Sequence, residues 1–150
     1  MIKINVLFVC HGNICRSTMA EFIMKHLLSG DLISSSVNVI SAGVSDEEYG
    51  NDIYPQAKKT LFEHGIPFSA HSAHRITDEE FRNADYIYAM DSSNYRALIR
   101  RFGNLPGKIS MFLDKDVEDP WYSGNFNAVF DDIFSGCVNL LKNFHQIYDV

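Results

Sequence analysis

A doubly wound α/β domain, with a four-stranded parallel sheet and helices on both faces, is what this chain of 150 residues predicts. Three observations lead there. Short apolar runs recur along the chain, a stretch of helical period follows each, and no repeat, low-complexity tract or Pro/Gly/Ser linker breaks the series. Strands separated by helices are joined by right-handed crossovers, which lays them parallel in one sheet. The length is near the commonest size for one core, so a single domain over residues 1–150 is expected.

Ile4 to Val9 is nearly all apolar, as in a strand buried on both faces. Met19, Phe22, Ile23 and Leu27 then fall on one face of a helix, with Thr18 and Glu21 at capping-box spacing and Gly30 at its end. Val37 to Ile40 reads as the second strand and leads into Ser41-Ala42-Gly43. A helix over about Pro55 to His64 turns Ala57 and Leu61 inward and stops at Gly65. Tyr86 to Met90 is the third strand, followed by a helix carrying Tyr95, Leu98, Ile99 and Phe102. Ile109 to Leu113 is the fourth. The last helix carries the stripe Phe126, Phe130, Ile133, Cys137, Leu140 and Phe144. Ligands bind such sheets beyond the carboxyl ends of the strands, which gathers the loops Cys10 to Ser17, Ser41 to Asp52, Asp91 to Asn94 and Asp114 to Gly124.

Composition narrows the function. Hydrophobic residues make up 46% and charged residues 21%, ordinary for a globular chain. Lys plus Arg number 13 against 19 for Asp plus Glu, and a net charge of −6 repels a phosphate backbone, so no nucleic-acid partner is expected. No apolar run approaches the ~20 residues of a membrane span, and the opening Met1 to Val9 turns polar too soon for a signal peptide. Three cysteines cannot all pair, which predicts a reducing compartment, the cytoplasm, and no disulfide framework. Neither these cysteines nor the 6 histidines have metal-ligand spacing, so no cofactor is expected.

The chemistry concentrates in Cys10-His11-Gly12-Asn13-Ile14-Cys15-Arg16-Ser17. A cysteine and an arginine five residues apart, at a strand-to-helix turn, make a phosphate cradle with a nucleophile at its base. Successive loop amides form an anion nest and the following helix adds its positive end. Arg16 offers a planar fork to two phosphoryl oxygens. The same field favours the thiolate of Cys10. Taken alone, Cys10 is also a plausible small buried hydrophobe, but Gly12 and Asn13, which tolerate positive φ, and Ser17 beside the helix start favour the cradle.

Val9 to Ser17 resembles the signature of the low-molecular-weight protein tyrosine phosphatases, and the likeness extends along nearly the whole chain. Ser41-Ala42-Gly43, His71-Ser72-Ala73, Ala89-Met90-Asp91 with Asn94, and Asp119-Pro120-Trp121-Tyr122 resemble further elements of that family in the right order. The resemblance implies hydrolysis of a phosphotyrosyl protein or small aryl phosphate by a monomeric enzyme, with inorganic phosphate as product. It implies Cys10 as nucleophile, Arg16 and the loop amides as phosphoryl ligands, and Asp119 as general acid and then base. Asp-Pro is otherwise a common turn pair, and the residues alone favour that reading of Asp119.

The resemblance further implies a network of Asn13, Ser41 and His71 that supports the loop, His11, Gly12, Ile14 and Cys15 within it, and Ser17 donating to the sulfur. His71 alone reads as a satisfied boundary histidine. Asp91 reads as the cap of the helix beginning at Ser92, with a place in the site as the alternative. A reversible Cys10–Cys15 disulfide is implied, against simple packing of Cys15; Cys137 reads as core.

Trp121, Tyr122 and Tyr49 are the expected cleft walls, with Tyr54 the alternative to Tyr49 and an alignment offset placing Glu47 there instead. The acidic run at 46–48 reads as a solvated face, with discrimination against acidic peptides as the alternative. Related arsenate reductases use an extra mid-chain cysteine pair, which is missing between Cys15 and Cys137. Related protein-arginine phosphatases carry Thr where this chain has Ile14, and an aliphatic residue there suits an aryl phosphate. A binding module without turnover is the reading from another class, disfavoured because binding alone needs neither a thiolate nor an acid.

Overall fold

The computed structural model describes residues 2–150; Met1, where the signal-peptide reading begins, lies outside them. Four parallel strands, β1 (Ile4–Cys10), β2 (Val37–Gly43), β3 (Tyr86–Ala89) and β4 (Ile109–Met111), lie in the order β2-β1-β3-β4. β1 is central. It pairs with β2 from Ile4↔Val37 to Cys10↔Gly43, and with β3 from Val6↔Tyr86 to Val9↔Ala89. The helices are α1 (Arg16–Leu28), α2 (Pro55–Glu63), α3 (Asp78–Asn83), α4 (Ser92–Phe102), α5 (Pro120–Ser123) and α6 (Phe126–Tyr148).

The near-continuous apolar run of β1 has the expected cause. Ile4, Val6, Phe8 and Cys10 face one core with α1, α2 and α6, while Leu7 and Val9 face a second beneath α4. Asn5, the one polar residue in the run, is held at the rim: its amide donates to Asp85 Oδ2 at 2.7 Å and its side chain to the Asn83 carbonyl at 3.0 Å. Phe8 meets Phe112 edge to face, with ring centres 5.3 Å apart. Cys137 is buried on α6 as expected, its sulfur 3.8 Å from the Ala20 carbonyl.

The structure corrects the predicted elements at three places. α1 begins at Arg16, not near Thr18, so the Thr18/Glu21 capping box does not form. Thr18 Oγ1 instead donates to the Cys15 carbonyl at 2.8 Å, and Glu21 points across to β2. The anion nest leaves α1 with no side-chain cap, because the first amides of the helix belong to the cradle. α3 was not anticipated, although Thr77 and Glu80 form the full capping box that starts it. α5 is a single turn after Asp119. Glycines end α1 and α2 as predicted, with φ of 79° at Gly30 and 71° at Gly65. Among the described residues no helix is long and apolar enough to cross a membrane.

Candidate active site

Cys10 ends the central strand and Arg16 opens α1, so residues 11–15 must turn the chain between them within one short loop. Asn13 takes φ of 62°, the left-handed conformation that Asn tolerates better than most residues. Nearly every carbonyl of this loop is occupied from outside. Val44 N donates to the Cys10 and His11 carbonyls (3.0 and 3.1 Å), Ser45 N to His11, Tyr54 N to Ile14, and Met19 N to Cys15. His71 Nε2 lies 2.7 Å from the Asn13 carbonyl; a carbonyl only accepts, so this nitrogen carries the proton. Asn13 N donates to Cys10 Sγ at 3.3 Å. The amides of Gly12, Ile14, Cys15 and Arg16 donate to no group among the described residues. Carbonyls bound outward and amides left unbound are what an anion nest requires.

A relay of hydrogen bonds sets this shape. The backbone amide of His74 donates to Asn13 Oδ1 at 3.3 Å, which fixes the orientation of the Asn13 side-chain amide. Its Nδ2 then donates to Ser17 Oγ at 2.9 Å and Ser41 Oγ at 3.0 Å. Ser17 thereby keeps its own proton for Cys10 Sγ, 3.0 Å away. Ser41 Oγ donates a hydrogen bond to Glu21 Oε1 at 2.6 Å, and Lys25 donates to the other Glu21 oxygen. Asn13, Ser41 and His71 come together as anticipated. Glu21 closes the relay from α1, a role hidden behind its capping-box spacing.

Arg16 is 2% exposed. Its Nη1 donates to Asp91 Oδ2 at 2.7 Å and to the Val117 carbonyl at 3.0 Å, and Nη2 lies 3.4 Å from Asp119 Oδ2. Burial works against its charge, but the Cys10 sulfur, the Asp91 hydrogen bond and Asp119 outweigh it and hold the guanidinium above its ordinary pKa. Asp91 serves both readings at once, since its Oδ1 caps α4 by accepting from Asn94 N at 2.7 Å. Asp119 does likewise: Oδ1 accepts from Trp121 N at 3.1 Å as the cap of α5 while Oδ2 faces Arg16. Burial, then the nearby Cys10, push the Cys15 thiol well above its ordinary range, so Cys15 is held neutral.

These groups border a cleft of about 120 Å³. His11, Gly12, Ile14 and Cys15 contribute from the loop, Trp121 and Tyr122 from α5, and Glu47 and Glu48 from the segment after β2. Tyr49 is a correction: it does not line the cleft and is 74% exposed, because the chain presents the two residues before it. The acidic run is therefore a cleft wall and not only a solvated face. Glu47 Oε2 lies 3.1 Å from His11 Nε2, and Glu48 accepts from Asn51 Nδ2 at 2.7 Å. Tyr54 backs the Trp121 wall, with ring centres 4.7 Å apart. Among the described residues no group of His, Cys, Asp and Glu is placed to hold a metal ion.

Comparison with known proteins agrees with this geometry. The family model for low molecular weight phosphotyrosine protein phosphatase matches residues 5–148. The low molecular weight phosphotyrosine protein phosphatase of Homo sapiens is 38% identical over 149 residues, covering 93% of this chain and 92% of its own. The crystal structure of YfkJ from Bacillus subtilis superposes with a TM-score of 0.91 at 35% identity over 97% of each chain. That of the Drosophila arginine phosphatase DARP gives 0.84 at 33% identity, over 93% of this chain and 96% of its own. A family model spanning all but the two ends, relatives above 30% identity along nearly their whole length, and a nest of unbound amides over a cysteine together establish that this chain belongs to the low-molecular-weight phosphotyrosine protein phosphatase family.

Proposed function

We propose that the protein hydrolyses phosphotyrosine, in proteins or as small aryl phosphates, through a cysteinyl-phosphate intermediate. The observation that carries this reading is the loop itself: Gly12, Ile14, Cys15 and Arg16, whose amides are unbound among the described residues, line one cleft with Cys10. In the first step Cys10 Sγ bonds to phosphorus, the P–O bond to tyrosine breaks, and Asp119 gives its proton to the departing phenolate oxygen. Arg16 and the amides hold the equatorial oxygens while charge shifts from nucleophile to leaving group. In the second step Asp119 takes a proton from water, the water oxygen bonds to phosphorus, and the S–P bond breaks. Inorganic phosphate leaves and the Cys10 thiolate is restored. General acid catalysis of this kind contributes about 10²–10⁴-fold. Every charge in the two steps is met by a side chain or amide, so no metal takes part.

The substrate reading rests on the cleft walls. Ile14, Trp121 and Tyr122 offer apolar flanks to a phenyl ring, and Ile14 stands where the arginine-phosphatase pattern has Thr. Because Cys10 acts only when reduced, the cytoplasm is the fitting compartment; a monomer suffices, since one chain supplies every group. Hydrolysis of para-nitrophenyl phosphate in the presence of a chelator tests the reading. Cys10→Ser is expected to abolish turnover and still bind oxyanions, while Asp119→Ala slows the first step most for poor leaving groups. Undiminished hydrolysis by Cys10→Ser sinks the nucleophile assignment. A panel of phosphotyrosine, phosphoserine and phosphoarginine peptides, with arsenate under reductant, separates this activity from those of its relatives.

A further inference from the structure

A second cavity, about 290 Å³, lies between the Arg75–Ile76 segment and α4, and shares no lining residue with the cleft. Arg75, Arg100 and Arg101 line it, with Val44 and Ala97 supplying its accessible apolar part above the buried Ile76 and Leu98. No carboxylate does, in a chain whose net charge is −6.

The three arginines are not equivalent. Arg101 is anchored: Nη1 donates to the Ile76 carbonyl at 2.6 Å and Nη2 to Asp78 Oδ1 at 2.9 Å. The side chains of Arg75 and Arg100 have no ion pair, hydrogen bond or ring partner among the described residues. Arg100 and Arg101 sit in the last turn of α4, where cations complement the negative end of a helix. That accounts for those two and not for Arg75, which comes from another segment, fixed in place by its bridge to Gly43. Without a ligand, three guanidinium groups bordering one cavity repel one another, and Asp78 offsets only one of them.

A group with paired oxygens and two negative charges matches this lining, because guanidinium forks bind such oxygens two at a time. The partly exposed Val44 and Ala97 suit the organic remainder of such a ligand, and the cavity has room for it. We propose that the Arg75/Arg100/Arg101 cavity is a second anion site, which binds a phosphate monoester group and packs the attached organic portion against Val44 and Ala97. The group is held there and not hydrolysed, since no nucleophile lines the cavity.

Titration followed by backbone amide NMR tests this on the Cys10→Ser chain, which keeps bound monoesters intact. The probes are inorganic phosphate, N-acetyl-phosphoserine amide and a phosphoserine peptide. Two sets of shifts are expected, one at residues 11–17 and another at residues 44, 75–76 and 97–101, each with its own saturation. Adding Arg75→Gln and Arg100→Gln is expected to weaken the second set at least ten-fold while the first is retained. The same two substitutions in the Cys10 protein leave para-nitrophenyl phosphate hydrolysis unchanged. Equal affinity for the three probes overturns the packing of the organic portion; a gain from free phosphate to peptide identifies a phosphorylated protein. Arg100→Gln alone, at an exposed position, repeats the test should the pair of changes impair folding. Shifts confined to residues 11–17 with all three probes, or a second set unaffected by the substitutions, overturn the proposal.

Discussion

Arg16 and Asp91 meet at 2.7 Å beneath the cradle, and the same carboxylate caps α4 through its other oxygen. One residue thus ties the phosphoryl-binding fork to the helix that follows β3. Two substitutions separate the roles. Asn caps a helix about as well as Asp, so Asp91→Asn keeps α4 and removes the charge that holds Arg16. Its kcat/KM for para-nitrophenyl phosphate is expected to fall about ten-fold with little change in urea unfolding. Asp91→Ala loses the cap as well and is expected to cost about 1 kcal/mol of stability. Equal activity in Asp91→Asn and the unsubstituted protein contradicts the positioning role.

Gly43 leaves no room for a side chain. A Cβ there sits 2.7 Å from the His11 carbonyl oxygen and 3.3 Å from Asn13 Cβ. Those are cradle atoms, so Gly43→Ala must push the loop away from β2. Overpacking of this kind costs about 1–3 kcal/mol, and here the displaced atoms include the carbonyl that Val44 and Ser45 hold. Thermal unfolding should show a lower Tm, with a loss of phosphate affinity beyond the loss of stability. An unchanged Tm with unchanged phosphate binding refutes the contact.

The cradle was legible because its cause is local. An apolar strand, a turn that needs a positive φ at Asn13, and a helix start follow one another within a dozen residues. Contacts across the chain were hidden. Glu21 looked like a partner for Thr18, three residues away, yet it bonds Ser41 on the neighbouring strand, since the helix starts earlier than its first apolar residue suggests. The tie from the Val117 carbonyl to Arg16 had no side-chain signal at all. The identity of the cleft wall depends on an offset of one or two residues in an irregular segment, which places Glu47, the alternative by alignment, and Glu48 where Tyr49 was expected. Helix α3 could have been found, because Thr77-x-x-Glu80 spells its capping box. Its apolar pattern gives no sign of it, because none of its own residues is buried.

The His74–Glu80 pair gives the cradle support a pH dependence. The backbone of His74 bonds Asn13, and its Nε2 lies 2.7 Å from Glu80 Oε2. The hydrogen bond to Glu80 raises the His74 pKa above its ordinary 6.5, against burial; Glu21 adds in the same direction. Burial pushes Glu80 upward, but the bonds from His74 and Thr77 bring it below its ordinary 4.5. A raised histidine stabilises the fold fully below 6.5 and loses that contribution as pH climbs through its folded pKa. A depressed glutamate stabilises above 4.5 and loses its contribution as pH falls through its folded pKa. The pair therefore contributes most between these two values. Urea unfolding across pH 4–9 should show the stability difference between the protein and His74→Gln largest in that window and shrinking toward alkaline pH. A difference that does not vary with pH removes the ion pair from the account.

Charge at the mouth of the cleft is expected to bias which phosphotyrosines are preferred. Glu47 and Glu48 line it together with Asp119, whereas Arg16 is the one Lys or Arg among its lining residues. Once a phosphoryl group occupies Arg16 and the amides, a neighbouring Asp or Glu of the substrate meets unbalanced negative charge, and a Lys or Arg meets attraction. Glu47 Oε2 lies 3.1 Å from His11 Nε2, while the Glu48 side chain is bonded only to the neutral Asn51. Exposed pairs are worth about 0.2–1 kcal/mol, so peptides with basic flanks should exceed acidic ones in kcat/KM by about three-fold per charge. Glu47→Gln with Glu48→Gln is expected to erase most of that ratio and leave para-nitrophenyl phosphate, which has no flanking residues, unaffected. Raising the salt to about 1 M, where screening acts within ~3 Å, should compress the ratio in the same way. A preference that survives both the neutral substitutions and high salt would locate the selectivity in the aromatic wall of Trp121 and Tyr122 instead.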